Sequence, residues 1–428
     1  MRTRLTFLGA PAVLLVSTIV LAQQPPVAGQ SGRGAGQQAT VRSPEIMPDG
    51  TVTFRLAAPI ASSVVVRNTT GGYADWPDGN EAAMKKDEQG VWSVTIGPLK
   101  PEFYTYAFVV DGVQALDPRN VTISRDGTRY SSALRLAGEK TANYQVNDVP
   151  HGTVSLAWYP SPSLNLTRRM YVYTPPGYEA SATTRYPVFY LLHGGGGDED
   201  AWTTLGRAPE ILDNLIAQGK AKPMIVVMTN GNASQRASQD FVSAAAPAAP
   251  GPGTRILDFP RSLVADVIPF VDKAYRTRPD RENRAIAGLS MGGAQTLYAA
   301  FNNLDTFAWV GALSGGFPLL PEVAVPIPAP ENAGRLRGPD VTRSIDPEKF
   351  LALHPQLNAS ANSQLRLFYL AIGTEDGLIS THATLKQILK SKGVNATIVE
   401  TPGYAHEWAF WRVALSDLAP RLFQTGTR

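Results

Sequence analysis

The sequence predicts an α/β protein: a large domain built on a mostly parallel sheet, preceded by a small all-β domain. Three observations carry that expectation. From residue 150 onward, short apolar runs alternate with helix-period segments, the pattern of strands joined by crossover helices. Before them, alternating apolar and polar runs are separated by Pro, Asp and Gly turns without a convincing helical stretch, as in a β-sandwich. The 428 residues also include 38 Gly and 34 Pro, a turn-rich composition unlike that of a helical bundle.

The same counts exclude several kinds of chemistry. There is no cysteine, which removes disulfide frameworks, thiol nucleophiles, cysteine-ligated zinc, iron–sulfur clusters and lipid attachment to a thiol. The 39 basic and 36 acidic side chains leave a net charge of +3, two units of which sit on Arg2 and Arg4. Too little basic excess remains to grip a phosphate backbone, so nucleic acid is not an expected partner.

Residues 1–22 read as a signal peptide: Arg2 and Arg4, an apolar run from Leu5 to Leu21 interrupted by Pro11, and Val20-Leu21-Ala22 as the cleavage site. An uncleaved anchor is the alternative, because the run barely reaches the roughly 20 residues that a span requires. No other segment approaches that length, so a secreted or periplasmic protein, free of the membrane after cleavage, is expected. Residues 23–40 (QQPPVAGQSGRGAGQQAT) hold no aromatic and no acidic side chain and read as a flexible linker.

Within 41–138, strands are expected at 51–56 (TVTFRL), 63–67 (SVVVR), 90–96 (GVWSVTI) and 103–110 (FYTYAFVV). Turns fall at Pro48-Asp49-Gly50, Gly71-Gly72, Pro77-Asp78-Gly79 and Asp111-Gly112. The strand ending in Val110-Asp111-Gly112, followed by Asp117-Pro118-Arg119-Asn120, resembles the immunoglobulin-like carbohydrate-binding module that precedes glycogen-branching and debranching enzymes. That resemblance implies a glycan ligand, for which Trp76 and Trp92 offer ring faces. Trp92, in mid-strand, is better placed for the core, whereas for Trp76, in a loop rich in Pro, Asp and Gly, core and sugar contact are equal readings. A spacer that only packs against the second domain is the alternative reading.

In the second domain, 150–428, strands are expected at 170–174, 186–192, 224–228, 284–287, 309–313, 366–371 and 396–400, with helices at 263–275 and 294–301. At the junction of the fourth strand with a helix stands Gly288-Leu289-Ser290-Met291-Gly292-Gly293. Such a G-x-S-x-G elbow needs glycine on both sides because the turn is tight, and it holds a serine hydroxyl clear of the backbone. A hydroxyl attacks poorly unless a base is in reach and an acid orients that base. Of the five histidines, His151, His193, His354, His382 and His406, His406 lies after the last strand and fits the base. Asp376 fits the acid, since Gly373-Thr374-Glu375-Asp376-Gly377 turns at the C-terminal end of a late strand; Glu375 is a second candidate. His382 is expected at the surface or just behind the site, and His151 and His354 have no partner spacing.

Acyl transfer also needs N–H groups aimed at the developing oxyanion. The run Leu191-Leu192-His193-Gly194-Gly195-Gly196-Gly197 supplies a glycine loop, and the amides of Gly195 and Met291 are the expected donors. No Lys-Ser/Thr follows the glycine run and no dinucleotide fingerprint is present, which excludes the two common phosphate-cradling loops. His193 is expected to support this loop. Gly194, Trp202 and Trp408 are candidates for substrate contact, with core packing an equal reading for the two tryptophans.

The assembled pattern resembles carbohydrate esterase family one, the feruloyl and acetylxylan esterases, in the wider α/β-hydrolase group that includes enterochelin esterases and mycolyl transferases. It rests on 173–178 (YTPPGY), 191–202, 259–293, 373–378 and 405–411. The resemblance implies hydrolysis of acyl esters on plant polysaccharide such as xylan by Ser290, His406 and Asp376, with no metal and no organic cofactor. A siderophore esterase of the enterochelin type, an acyltransferase and a non-catalytic glycan-binding protein are the rival readings. The sequence departs from the family pattern at 243–253 and 317–337, stretches expected to border the site.

Overall fold

The computed structural model describes residues 41–70, 76, 80–233 and 256–424. The signal peptide, the linker, the turns at 71–72 and 77–79 and the 243–253 stretch lie outside the described residues. From Val41 onward the described residues form one compact unit.

The N-terminal part is a sandwich of two antiparallel sheets. One has the order Glu45–Ile46, Val52–Ala57, Val91–Ile96, Lys85–Lys86; the other runs Glu81–Ala83, Val64–Asn68, Phe103–Val110, Arg129–Arg135, Ile123–Asp126, with Val113–Ala115 pairing beside Phe103–Val110. Period-two patterning sets the inner faces: Val52, Phe54 and Leu56 from one sheet meet Val64, Val66, Tyr104, Tyr106 and Phe108 from the other. Both proposed sugar platforms belong to this core. Trp76 is 5% exposed, with its ring 5.9 Å from that of Phe54. Trp92 is 7% exposed and donates its indole N–H to the Ala58 carbonyl at 2.9 Å. Neither ring face is open to a pyranose: Trp92 takes the core role favoured for it, and for Trp76 the core reading holds over the sugar platform. Asp117 of the Asp-Pro loop is also internal, accepting hydrogen bonds from Ser43 and Tyr106.

Strand Phe103–Val110 does not alternate; its first seven residues are all buried. Tyr104, Tyr106 and Phe108 fill the sandwich. Phe103 instead joins Ala133, Tyr144, Trp202 and Phe410 in a core shared with the second domain.

The second domain is organised by an eight-stranded sheet. In chain order its strands are β1 (Thr153–Ser161), β2 (Leu166–Thr174), β3 (Val188–Leu192), β4 (Ile225–Thr229), β5 (Arg284–Leu289), β6 (Trp309–Leu313), β7 (Leu367–Gly373) and β8 (Thr397–Thr401). Their spatial order is β1-β2-β4-β3-β5-β6-β7-β8. The β1–β2 and β2–β4 pairs are antiparallel and the remaining pairs parallel. Strands β3 to β6 are buried along their whole length, as a parallel sheet covered on both faces requires. One face is covered by Leu263, Val267, Val271 and Leu297, the other by Ile211, Leu215, Phe410, Leu415 and Leu418.

Candidate active site

Strand β5 ends at Leu289, and helix α1 (Met291–Ala300) starts two residues later. Ser290 between them has φ 50° and ψ −116°, a left-handed conformation that costs a non-glycine residue on the order of 1–3 kcal/mol. The turn survives because its flanks are glycine: a Cβ on Gly288 would lie 2.4 Å from the Gly292 carbonyl carbon, and one on Gly292 would lie 2.5 Å from the His193 carbonyl oxygen. Crossing bonds from Ser290 N–H to the Leu313 carbonyl (2.9 Å) and from Gly316 N–H to the Ser290 carbonyl (2.7 Å) hold the strained residue against β6.

The hydroxyl so presented meets a histidine. Ser290 Oγ lies 2.9 Å from His406 Nε2, and His406 Nδ1 lies 2.9 Å from Asp376 Oδ2 and 3.2 Å from Oδ1. Asp376 is fully buried and accepts the Leu378 N–H at 2.8 Å, which pins its carboxylate. Glu375 points elsewhere: it is 40% exposed and pairs with Arg337 at 2.9 Å, so the acid position falls to Asp376. The His406 ring packs edge-on against Trp411, with centroids 5.0 Å apart, and the Trp411 indole N–H donates to Ser314 Oγ at 3.2 Å.

Beside Ser290 runs the glycine loop after β3. A Cβ on Gly194 would come within 2.5 Å of a Leu289 methyl and 3.3 Å of Ser290 Cβ, whereas one on Gly195 would meet nothing within 4 Å. The N–H groups of Gly195 and Met291 donate to no described residue, as befits donors left for a ligand. His193 holds the loop: Nδ1 lies 2.6 Å from the Gly194 carbonyl, and the Gly231 N–H donates to Nε2 at 2.8 Å. An accepting Nε2 places the proton on Nδ1, and complete burial depresses the pKa of this histidine. It is a neutral support and not a base.

The two tryptophans separate. Trp202 is 1% exposed and donates its indole N–H to the Leu192 carbonyl at 2.9 Å. It braces β3 from inside, which corrects its assignment to substrate contact. Trp408 is half-buried, edge-on to both Trp202 and Trp411 at 5.2 Å. It borders a cavity of about 350 Å³ whose other walls include Thr105 and Ser131 of the sandwich. A wider cleft of about 790 Å³ is lined by Tyr186, Pro187, Asn283 and Trp309. It lies at the starts of β3, β5 and β6, whereas ligands of open α/β sheets bind outside the strands' carboxyl ends.

The remaining histidines stand outside this constellation. His151 pairs with Asp213 at 2.9 Å. His354 is buried, with Nδ1 2.7 Å from the Phe350 carbonyl. His382 is 4% exposed, which excludes the surface placement and leaves the one behind the site.

Sequence reasoning expected 317–337 to border the site but missed how it does so, through Arg337 and Gly338. The chain there pairs Ala324–Pro326 with Arg343–Ile345 and brings Arg337 beside the acid loop, where Arg337 N–H donates to the Glu375 carbonyl at 2.9 Å. Gly338 follows at φ 113°, and a Cβ there would lie 2.3 Å from His406 Cβ. The Gly-Pro pair 338–339 was the available signal.

The Esterase family model matches residues 161–422. The chain is 30% identical over 387 residues to an endo-1,4-beta-xylanase/feruloyl esterase of Xylanibacter ruminicola, covering 89% of this chain and 46% of that protein. It is 31% identical over 165 residues to endo-1,4-beta-xylanase Y of Acetivibrio thermocellus, covering 36% of this chain and 14% of that one. The chain thus spans less than half the length of these two relatives. Among solved structures, an enterochelin esterase from Shigella flexneri matches with a TM-score of 0.55 and 17% identity, covering 89% of this chain and 94% of its own. The feruloyl esterase module from Clostridium thermocellum, complexed with sinapinate, gives 0.50 and 22% over 71% and 97%. At these identities the structural likeness is one of fold.

Proposed function

The chain belongs to the Esterase family; from that premise we propose that it is a carboxylic ester hydrolase, a serine esterase acting on feruloyl or acetyl esters of plant cell-wall polysaccharide such as xylan. The observation that carries the mechanism is the unbroken line from Ser290 Oγ through His406 to Asp376, with 2.9 Å at each step. Ser290 Oγ attacks the ester carbonyl while His406 Nε2 takes its proton, and the carbonyl oxygen gains negative charge facing the Gly195 and Met291 N–H groups. The tetrahedral species collapses to an acyl-serine, and His406 returns the proton to the departing sugar hydroxyl. Water then repeats the sequence on the acyl-enzyme, releasing the acid and restoring Ser290. Asp376 accepts from His406 Nδ1, fixing the tautomer and orientation of the ring.

The polysaccharide assignment draws on the relative from Xylanibacter ruminicola, which is named as both a xylanase and a feruloyl esterase. The charged, apolar and small-residue segments of 1–22 support export to the periplasm or medium.

Purified protein and Ser290→Ala, assayed on methyl ferulate, acetylated xylan and a catechol siderophore, test the reading. Turnover of the first two and its loss in Ser290→Ala are expected. Preference for the siderophore would transfer the chain to the enterochelin reading, and retention of turnover by Ser290→Ala would remove Ser290 from the chemistry. Failure of a fluorophosphonate probe to label Ser290 would favour a non-catalytic glycan-binding protein.

A further inference from the structure

The hairpin of Ile123–Asp126 and Arg129–Arg135 belongs to the sandwich, yet its tip lies on the glycine loop of the esterase site. A Cβ on Gly127 would fall 2.3 Å from the Gly196 carbonyl oxygen, so hairpin backbone and loop backbone touch without an intervening side chain. One residue further along the loop, a Cβ on Gly197 would meet Asp126 Oδ1 at 2.7 Å. The loop then continues into three consecutive carboxylates, Asp198, Glu199 and Asp200, whose side chains are 3%, 1% and 12% exposed.

Arg125, on the hairpin, meets all three. Nη1 lies 2.7 Å from Asp198 Oδ2, Nε 3.2 Å from Asp200 Oδ2 and Nη2 3.9 Å from Glu199 Oε1. Glu199 also has Arg169 as a partner; Asp198 and Asp200 have no other cation within pairing distance among the described residues. The backbone adds a reciprocal clasp: Arg125 N–H donates to Thr204 Oγ1 at 3.0 Å, and that hydroxyl donates back to the Arg125 carbonyl at 3.1 Å. Buried carboxylates without a counter-charge repel one another and draw in water or protons. The segment they would deform begins at the residue after Gly195, Gly196 and Gly197.

We propose that Arg125 is a positioning residue of the esterase: reaching from the sandwich, it bridges Asp198 and Asp200, offsets part of their charge and thereby holds the Gly194–Gly197 backbone with the Gly195 N–H aimed at the oxyanion. The inference rests on the serine-esterase reading above. It makes the sandwich part of the catalytic apparatus through one side chain, independently of any glycan that the sandwich binds. Displacing a donor by a fraction of an ångström weakens transition-state binding more than ground-state binding, so the effect belongs in kcat.

Full-length protein with Arg125→Ala, Arg125→Lys or Gly127→Ala, assayed on 4-nitrophenyl acetate, an ester too small to reach the hairpin, provides the test. We expect kcat to fall roughly tenfold to a hundredfold in Arg125→Ala, with KM within about twofold and an unchanged circular-dichroism spectrum. Millimolar guanidinium, supplying the missing cation, restores part of the loss, and Arg125→Lys retains more activity than Arg125→Ala. Should Arg125→Ala fail to fold, Gly127→Ala decides instead, because its methyl is forced onto the Gly196 carbonyl from the sandwich side and the same kcat-specific loss follows. An unchanged kcat in the folded variants, or a loss confined to KM, overturns the proposal. Ser290→Ala run alongside separates the two layers: if it abolishes turnover while the Arg125 variants keep theirs, the esterase reading stands and only the positioning role falls.

Discussion

Ser290, Asp376 and His406 come from three separate loops, and each was visible in the sequence for a local reason. The elbow announces itself through Gly288 and Gly292, whose side-chain space is occupied by backbone; the acid and base follow from chain order and turn chemistry. What stayed hidden is burial. Nothing near Trp202 or Trp76 states that a ring will be covered by residues distant in sequence, and for both, ligand contact and core packing stood as equal readings. The choice between Glu375 and Asp376 was likewise tertiary, since it turns on Arg337, 38 positions away. Asp376→Asn tests the acid assignment. The amide keeps the volume but offers an N–H toward Nδ1, which favours the wrong His406 tautomer. A fall in kcat of about 10⁴-fold with little change in KM is expected on a soluble aryl ester; a loss below about tenfold would mean that another group orients His406.

At the scale of elements, the buried strands were legible as apolar runs, while β1 was not. It is an edge strand whose outward Val154, Leu156 and Trp158 are 38–50% exposed, so apolarity and burial part company along it. The helix expected over 263–275 begins five residues earlier and runs as three pieces, Asp258–Ser262, a wider π-type turn Leu263–Val267, and Ile268–Ala274. Pro269 brings no N–H to the ladder, and the wider turn accommodates it. Helix α2 (Ile379–Ser391), following the acid loop, carries a testable liability. Its His382 is held down to a pKa of about 4, first by burial, against an ordinary 6.5. The unfolded chain accepts a proton near 6.5 and the folded chain only near 4. The stability this residue contributes is therefore complete above pH 6.5 and drains away as pH falls toward 4, on the order of 3 kcal/mol. Urea midpoints measured at pH 7 and pH 4.5 should draw closer together in His382→Gln than in the parent; an identical difference would contradict the assignment.

For the whole molecule, the covalent order of two domains conceals a shared interior. Arg412, on helix α3 (Trp408–Leu418), is fully buried. It donates to Glu102 Oε1 of the sandwich at 3.0 Å and to the Leu205 carbonyl at 2.8 Å. Its guanidinium also lies over the rings of Phe103 and Tyr144, 5.5 Å and 5.1 Å from their centroids. Glu102 is bonded further by the Tyr144 hydroxyl. Arg412→Met leaves that carboxylate buried without its cation, a loss of about 3–5 kcal/mol. Adding Glu102→Leu should recover part of it, because the stranded charge is then gone. Urea denaturation followed by tryptophan fluorescence reads both; a double variant weaker than Arg412→Met alone would show that the pair contributes more than mutual neutralisation.

The same pair bears on how the chain is made. Glu102 and Arg412 stand 310 positions apart, and synthesis proceeds from the N-terminus at about 5–20 residues per second. The sandwich therefore emerges complete while its counter-charge is still unwritten. For many seconds of translation, Glu102 and the flank around Phe103 face water, and the late-arriving C-terminal helix is what seals them. A nascent chain stalled before that helix exposes an acidic, aromatic-lined seam, the kind of surface that chaperones and proteases inspect.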